Sequence, residues 1–402
     1  MTDASSRSQR PAPVPLTILT GFLGAGKTTL LNRLLRDPGL ARSVVLINEF
    51  GEIGLDHLFV EKIDGDMVML ASGCVCCTIR GDLVDALEKL LRDRDNGRMG
   101  EFDRVIIETT GLADPAPVLH TLMSHPYFLM RFRLDGIVTL VDAVNGAATL
   151  QNHPEALKQA AIADRLVLSK TDLLDSDERR HAFETLTRRL HNINPTARLL
   201  RAEDPIGAAE LLNAGLHDPD SARPNVRAWL NAEALAETAV TDTASTDTCA
   251  VCGEDHDHAH HDHAHHDHAH HDHGNHDEAI RSFCLTSAEP LSPNACGLFL
   301  EMLRSAHGPN LLRVKGLIAL SDDAERPLVI HGVQHVFHPP VRLDSWPDAD
   351  RRTRMVFIVK DLDEKFVEGL YRAFAGQAAV DRPDATALSA NPLAPRAGGL
   401  LG

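Results

Sequence analysis

Short apolar runs alternate with longer stretches of helical periodicity from residue 16 to about residue 212. Leucines recur at helical spacing in stretches such as 28–36 and 81–92, which predicts helices there. The apolar runs are rich in β-branched residues and predict strands over residues 16–20, 43–48, 104–108, 134–142, 165–169 and 197–200. Strands that alternate with helices favour a parallel sheet flanked by helices, so the predicted fold class is α/β.

The pattern changes near residue 232, where Ala, Thr, Asp and Ser become frequent. Histidine and aspartate then dominate residues 256–276, which contain twelve histidines and a repeated HDHAH unit. A stretch with so few apolar residues cannot build a packed core. Apolar runs return after residue 279, among them SFCLT, LLRVKGLIAL and RMVFIVK, and they predict a smaller α+β domain with an antiparallel sheet.

Composition narrows the functional classes. A formal net charge of -17 argues against a broad basic face for nucleic acid. The seven cysteines do not form the spaced pairs of a disulfide framework, so reduced thiols are predicted. The first 15 residues lack the apolar core of a signal peptide, and no apolar run is long enough to span a bilayer. The sequence therefore predicts a cytoplasmic protein without nucleic-acid or membrane partners.

The run LTILT is followed by GFLGAGKTT, a P-loop pattern in the strand, turn and helix context that it requires. Gly21, Gly24 and Gly26 let the backbone curl so that its N–H groups face phosphates at a helix N-terminus. Lys27 is expected to reach the β- and γ-phosphates, and the Thr28 hydroxyl is expected to bind Mg²⁺. The motif therefore predicts a nucleoside triphosphate site in which Lys27 and Thr28 are catalytic candidates.

A second candidate loop follows the strand RVIIE. Glu108 ends that strand, where it is expected to lie near the Mg²⁺, and Gly111 is expected to donate its backbone N–H to the γ-phosphate. Glu108 is the third catalytic candidate. The alternative for Glu108 is a solvated acid or a charge at a helix N-terminus.

The segment SKTD follows the strand RLVLS, as a base-recognition loop would. The carboxylate of Asp172 can accept hydrogen bonds from N1–H and the N2 amino group of guanine, while the Lys170 stem covers the ring. Ser169 stands where such loops usually have asparagine. These residues predict GTP as the nucleotide, and a solvated Lys–Asp loop is the alternative.

Three cysteines lie between an apolar strand and a helix in MVMLASGCVCCTIRGDL. Cys74 and Cys76 can point to the same side of an extended backbone and share one soft divalent ion, with Cys77 or an acid completing the ligand set. Thiolates favour zinc or Cu(I) over Mg²⁺ or Ca²⁺. The alternative is that these cysteines are small buried apolar residues.

The order GFLGAGKTT, INEFGEIGLD, GCVCCTIRGDL, ETTGLADP and SKTDL resembles the CobW-type metallochaperone GTPases. The segments RVKGLI and GVQH resemble the smaller C-terminal domain of that family. The resemblance implies phosphate binding at residues 24–29, which adds Ala25 and Thr29, and metal binding at the three cysteines. It also implies a switch at residues 48–56, in which Glu49 is a candidate oxygen ligand near the cysteines. Partner binding would depend on the nucleotide state, and a homodimer is left open.

Pattern, motifs and resemblance together predict five segments. They are a flexible N-terminus (1–15), a P-loop GTPase domain (16–225), a disordered linker with the His/Asp tract (226–278), a CobW-like α+β domain (279–375) and a flexible tail (376–402).

The histidine tract offers further metal ligands, because neutral imidazole binds Zn²⁺, Co²⁺ and Ni²⁺. It is predicted to act as a metal reservoir, and a solvated linker without a metal role is the alternative. The candidate ligands are His256, His258, His260, His261, His263, His265, His266, His268, His270, His271 and His273.

These features together predict a GTP-hydrolysing metallochaperone that binds zinc at the C-x-C-C motif and transfers it to a client metalloprotein. One alternative is a GTPase that inserts cobalt or nickel, since imidazole discriminates weakly among these ions. Another is a metal-storage protein in which the nucleotide is only structural. A small-molecule kinase shares the P-loop, but the SKTD loop and the cysteine motif argue against it.

Overall fold

The computed structural model describes residues 12–48, 68–70, 79–204, 207–212 and 280–377. The strands in these ranges are β1 (Val14–Gly21), β2 (Ser43–Asn48), β3 (Val68–Leu70), β4 (Arg104–Thr109), β5 (Phe132–Asp142), β6 (Arg165–Ser169), β7 (Arg198–Arg201), β8 (Ile280–Ser287), β9 (Leu311–Leu320), β10 (Asp323–Val333), β11 (Val336–Phe337), β12 (Val341–Arg342) and β13 (Thr353–Lys360). The α-helices are α1 (Lys27–Leu34), α2 (Ile79–Asp95), α3 (Ala116–Ser124), α4 (Pro126–Arg131), α5 (Gly146–Asn152), α6 (Pro154–Ala161), α7 (Asp177–Ile193), α8 (Ala208–Leu212), α9 (Pro293–His307) and α10 (Glu364–Phe374).

The first seven strands form a parallel sheet in the order β3-β2-β4-β1-β5-β6-β7. A parallel sheet covered on both faces needs apolar side chains at successive positions, which explains the continuous apolar runs. In β1, for example, Ile18 packs with Leu87 and Leu119 on one face, whereas Leu19 packs with Leu31 on the other. The predicted α/β fold with helices on both sides of the sheet is confirmed.

Helix starts follow from local chemistry. At α7, the Ser176 side chain accepts a hydrogen bond from the Arg179 N–H, and Asp177 and Glu178 place negative charge in the first turn. At α9, Ser292 accepts from the Ala295 N–H and Pro293 occupies the first helical position. These caps explain why the two helices begin where they do.

The second sheet has the order β11-β10-β9-β13-β8, and β12 also pairs with β10. Its strand pairs are antiparallel, as predicted. One face packs against α9 and α10, where the rings of Phe299 and Tyr371 meet edge to face at 5.5 Å. The predicted smaller α+β domain is confirmed in its class, while the boundaries of the five segments stay predictions.

The two sheets share packed contacts. Leu312 of β9 and Ile358 of β13 belong to the same apolar cluster as Ile18. Lys315 Nζ lies 2.7 Å from an Asp164 carboxylate oxygen, and Arg313 donates to the same carboxylate. Within the described ranges, no helix is long and apolar enough to cross a membrane.

Candidate functional site

The phosphate loop joins the end of β1 to the start of α1. Gly24 and Gly26 have φ angles of 75° and 89°, a left-handed region that costs other L-residues roughly 1–2 kcal/mol. Gly21 has φ 141°, and a Cβ there would lie 2.5 Å from the Leu140 carbonyl oxygen. The backbone path therefore requires the glycines of the predicted P-loop.

Lys27 and Thr28 are the first two residues of α1, and their side chains have different hydrogen-bond partners. Lys27 Nζ donates to the carbonyl oxygens of Gly21, at 2.8 Å, and Phe22, at 3.4 Å, so the ammonium group lies against the loop. The Thr28 hydroxyl donates to Glu108 Oε1 at 3.3 Å, and Glu108 is 6% exposed. The fold thus brings together two residues predicted to lie at Mg²⁺, 80 positions apart. A hydroxyl and a carboxylate are the hard oxygen donors that suit this ion.

The loop after β4 touches the phosphate loop. A Cβ on Gly111 would lie 2.5 Å from the Leu23 nitrogen, so the two backbones meet at a point that only glycine allows. The Thr109 hydroxyl donates to the Thr20 hydroxyl at 2.8 Å and joins the ends of β4 and β1. Gly111 therefore lies beside the loop that is predicted to hold the phosphates.

The base-recognition loop also contacts the phosphate loop. The Ser169 hydroxyl donates to the Ala25 carbonyl oxygen at 2.7 Å. Lys170 adopts φ 60°, and its Nζ donates to Asp142 at 2.7 Å. Asp172 is exposed on the short 3₁₀ helix Thr171–Leu173. It can therefore receive a base from solvent.

Asp142, Glu203 and Gln159 were not among the residues predicted from sequence. Burial raises the pKa of Asp142, but hydrogen bonds from Lys170 and Asn145 outweigh it and hold the pKa below its ordinary value. Glu203 accepts from the Thr171 N–H at 3.1 Å and fixes the base loop. The sequence signal for Asp142 was its position at the end of a predicted strand. Gln159 and Glu203 have no such signal.

A cavity of about 210 Å³ lies between the phosphate loop and the end of β5. Phe22, Gly24, Thr139, Asp142 and Lys170 are among the residues that line it. The cavity therefore connects the phosphate loop with the base-recognition loop, where a nucleotide is expected to bind.

Other predicted site residues lie outside the described residues. These are Glu49, Cys74, Cys76, Cys77 and the histidines from His256 to His273. Their flanking elements are described: β3 ends at Leu70 and α2 begins at Ile79, which agrees with the predicted strand and helix on either side of the cysteines. The metal ligands therefore stay a prediction. Thr29 lies in the first turn of α1 and is exposed.

Comparisons with known proteins agree with this architecture. Residues 15–201 match the family described as CobW/HypB/UreG, nucleotide-binding domain, and residues 280–375 match the cobalamin synthesis protein cobW C-terminal domain. The zinc chaperone YjiA of Escherichia coli is 31% identical over 365 residues, which cover 90% of this chain and 98% of that protein.

Two further relatives are informative. The zinc-regulated GTPase metalloprotein activator 1 of Schizosaccharomyces pombe is 38% identical over 195 residues, which cover 47% of this chain and 45% of that protein. A crystal structure of Zn(II)-bound YjiA GTPase from E. coli superposes with a TM-score of 0.60 at 27% identity, covering 90% of this chain and 99% of that one. The resemblance predicted from the motifs is confirmed.

Proposed function

The chain belongs to the CobW/HypB/UreG family, and on that premise we propose that it hydrolyses GTP and delivers zinc to a client metalloprotein. One observation carries the proposal. Lys27, Thr28, Glu108 and Gly111 converge at the ends of the adjacent strands β1 and β4, and the Ser169 loop packs on the same phosphate loop. The relatives named above are zinc chaperones or a zinc-regulated GTPase, which supports zinc as the cargo.

The described residues support defined roles in hydrolysis. Lys27 would exchange its contacts with the loop carbonyls for phosphate oxygens, and the Gly111 N–H would donate to the γ-phosphate. Thr28 and Glu108 would hold Mg²⁺, which neutralises charge on the β- and γ-phosphates. Asp172 would accept hydrogen bonds from the guanine edge. Together these contacts align the phosphates and stabilise charge, which is most of what phosphoryl transfer requires.

Strand register supports a link between nucleotide and metal. Asn48 at the end of β2 pairs with Thr109 of β4 and with Leu70 of β3. The segments that follow these strands contain Glu49, Gly111 and the three cysteines, so all three segments begin side by side at one edge of the sheet. A γ-phosphate that orders the first two segments would alter how well the thiolates converge on Zn²⁺.

Zinc affinity in two nucleotide states tests the proposal. We expect competition with a chromophoric chelator, in Mg²⁺, to give affinities that differ at least about tenfold between GDP and a non-hydrolysable GTP analogue. The difference should vanish in Cys76→Ala and persist in the control Cys284→Ala, which changes a cysteine of β8. The titration uses a chain that lacks residues 255–277, so that the histidine tract does not compete for the zinc and mask the difference.

Equal affinities in the two nucleotide states would refute a nucleotide-gated chaperone and favour metal storage. Storage also predicts that Lys27→Ala leaves zinc binding unchanged in either state. The same competition with Co²⁺ and Ni²⁺ distinguishes a zinc chaperone from an insertion GTPase for those metals, because only the cargo ion should show the nucleotide-dependent difference.

A further inference from the structure

Gln159 holds the loop that contains Gly111. It lies on α6, is 1% exposed, and its side-chain nitrogen donates to the carbonyl oxygens of Gly111, at 3.2 Å, and Ala113, at 3.0 Å. An amide group has two N–H donors, and both are directed here to the same loop. The loop is thereby held between α6 on one side and Leu23 of the phosphate loop on the other.

The next residue of that loop is held from two directions. An Asp114 carboxylate oxygen lies 3.8 Å from Lys158 Nζ on α6 and accepts a hydrogen bond from the Gln334 side chain at 3.4 Å. Gln334 lies in the turn between β10 and β11, with φ 52°. The ring of the neighbouring His335 lies 5.0 Å from that of His120 on α3. The second sheet therefore contacts the loop after β4 and the helix that follows it.

The end of α6 is also anchored on the second sheet. Arg313 of β9 donates to the Ile162 carbonyl oxygen, directly after α6, and to the Asp164 carboxylate. These side chains are buried, and Lys315 pairs with the same carboxylate at 2.7 Å. A shift of α6 would therefore disturb the second sheet, and the reverse also holds.

We propose that Gln159 is a positioning residue that keeps Gly111 beside the phosphate loop. We also propose that the hydrogen bond from Gln334 to Asp114 couples the position of this loop to the second sheet. This inference rests on the proposed GTPase function. GDP has no γ-phosphate, so the Gly111 N–H contributes to GTP binding but not to GDP binding. Holding the loop in place therefore favours the GTP-bound state, and by linkage GTP strengthens the contact with the second sheet.

The first test is Gln159→Leu in the full chain, since leucine keeps most of the volume and removes both hydrogen bonds. We expect the affinity for a GTP analogue to fall about five- to tenfold, as two neutral hydrogen bonds would give, while the affinity for GDP stays the same. The control Gln151→Leu changes an exposed glutamine on α5 and should alter neither affinity. Retained GDP binding shows that the variant is folded.

The second test is Gln334→Asn, which tolerates the left-handed conformation but is too short to reach Asp114. We expect its GTP-analogue affinity to fall about two- to threefold, as loss of one weak hydrogen bond would give. In the parent chain, the GTP analogue should slow amide hydrogen exchange at residues 333–336 relative to GDP. That difference should disappear in both variants.

Two results would overturn the inference. One is an equal loss of affinity for both nucleotides in Gln159→Leu, which is what a merely structural contact gives. The other is no loss of affinity for either nucleotide. A parent chain that binds neither nucleotide would instead refute the proposed function itself.

Discussion

Asp164 lies at the contact between the two sheets, and its replacement by asparagine is expected to destabilise the fold strongly. Asp164 is 3% exposed and accepts from the Ile137 N–H at 3.0 Å, while Lys315 and Arg313 are 2% and 1% exposed. Burial raises the pKa of Asp164, but the charges of Arg313 and Lys315 lower it more, so it stays well below its ordinary value. The carboxylate is therefore ionised between two buried cations.

The structure sets the expected magnitude. Asparagine preserves the shape of Asp164 but leaves Arg313 and Lys315 buried without their counter-charge, and breaking a buried ion pair in this way costs about 3–5 kcal/mol. Lys315→Met removes the second cation and leaves the pair of Asp164 with Arg313. Because that change also removes a desolvation cost, we expect the free energy of unfolding to change by less than about 1 kcal/mol.

Urea denaturation followed by circular dichroism and tryptophan fluorescence measures both variants. Trp346 packs against the apolar cluster of the second sheet, so its emission reports unfolding of that sheet. The reasoning is refuted if Asp164→Asn loses less than about 1 kcal/mol, or if Lys315→Met loses as much as Asp164→Asn.

Three other predictions concern single residues. Burial lowers the pKa of Lys315 from 10.5 to about 8, so between these pH values the unfolded chain binds more protons than the folded one. The free energy of unfolding should therefore rise with pH across this window in the parent chain and not in Lys315→Met. Urea titrations at each pH measure this. Gly111→Ala places a Cβ 2.5 Å from the Leu23 nitrogen and should weaken binding of a fluorescent GTP analogue more than that of GDP. Asp172→Asn should lower GTP affinity at least about tenfold, because hydrogen bonds to a charged acceptor are lost, and should favour a xanthine nucleotide in the same titration.

Each of these three predictions has a result that contradicts it. A parent chain whose free energy of unfolding does not rise between pH 8 and 10.5 would show that Lys315 keeps its proton when folded. Unchanged nucleotide affinities in Gly111→Ala would mean that the loop lies away from the phosphates. A GTP affinity that survives Asp172→Asn would place guanine recognition elsewhere.

The local pattern was enough to predict most of the first sheet and its phosphate loop. Strands buried on both faces require continuous apolar runs, and such runs are visible without any tertiary contact. The glycines of residues 21–26 satisfy backbone requirements that are also local, since Gly24 and Gly26 have positive φ. The predicted strands at residues 43–48 and 165–169 agree with β2 and β6 residue for residue.

Contacts between residues that are distant in the sequence could be identified only in the folded structure. The strand order brings Thr28 to Glu108, but nothing near either residue in the sequence identifies its partner. Gln159 has no distinctive motif, and its role arises because α6 packs beside the loop of Gly111. Asp164 and Arg313 are 149 positions apart and read as ordinary surface charges, because charged residues are rarely buried. Asp164 and Arg313 become a buried ion pair only because the two sheets pack against each other, and the sequence does not show which surfaces meet.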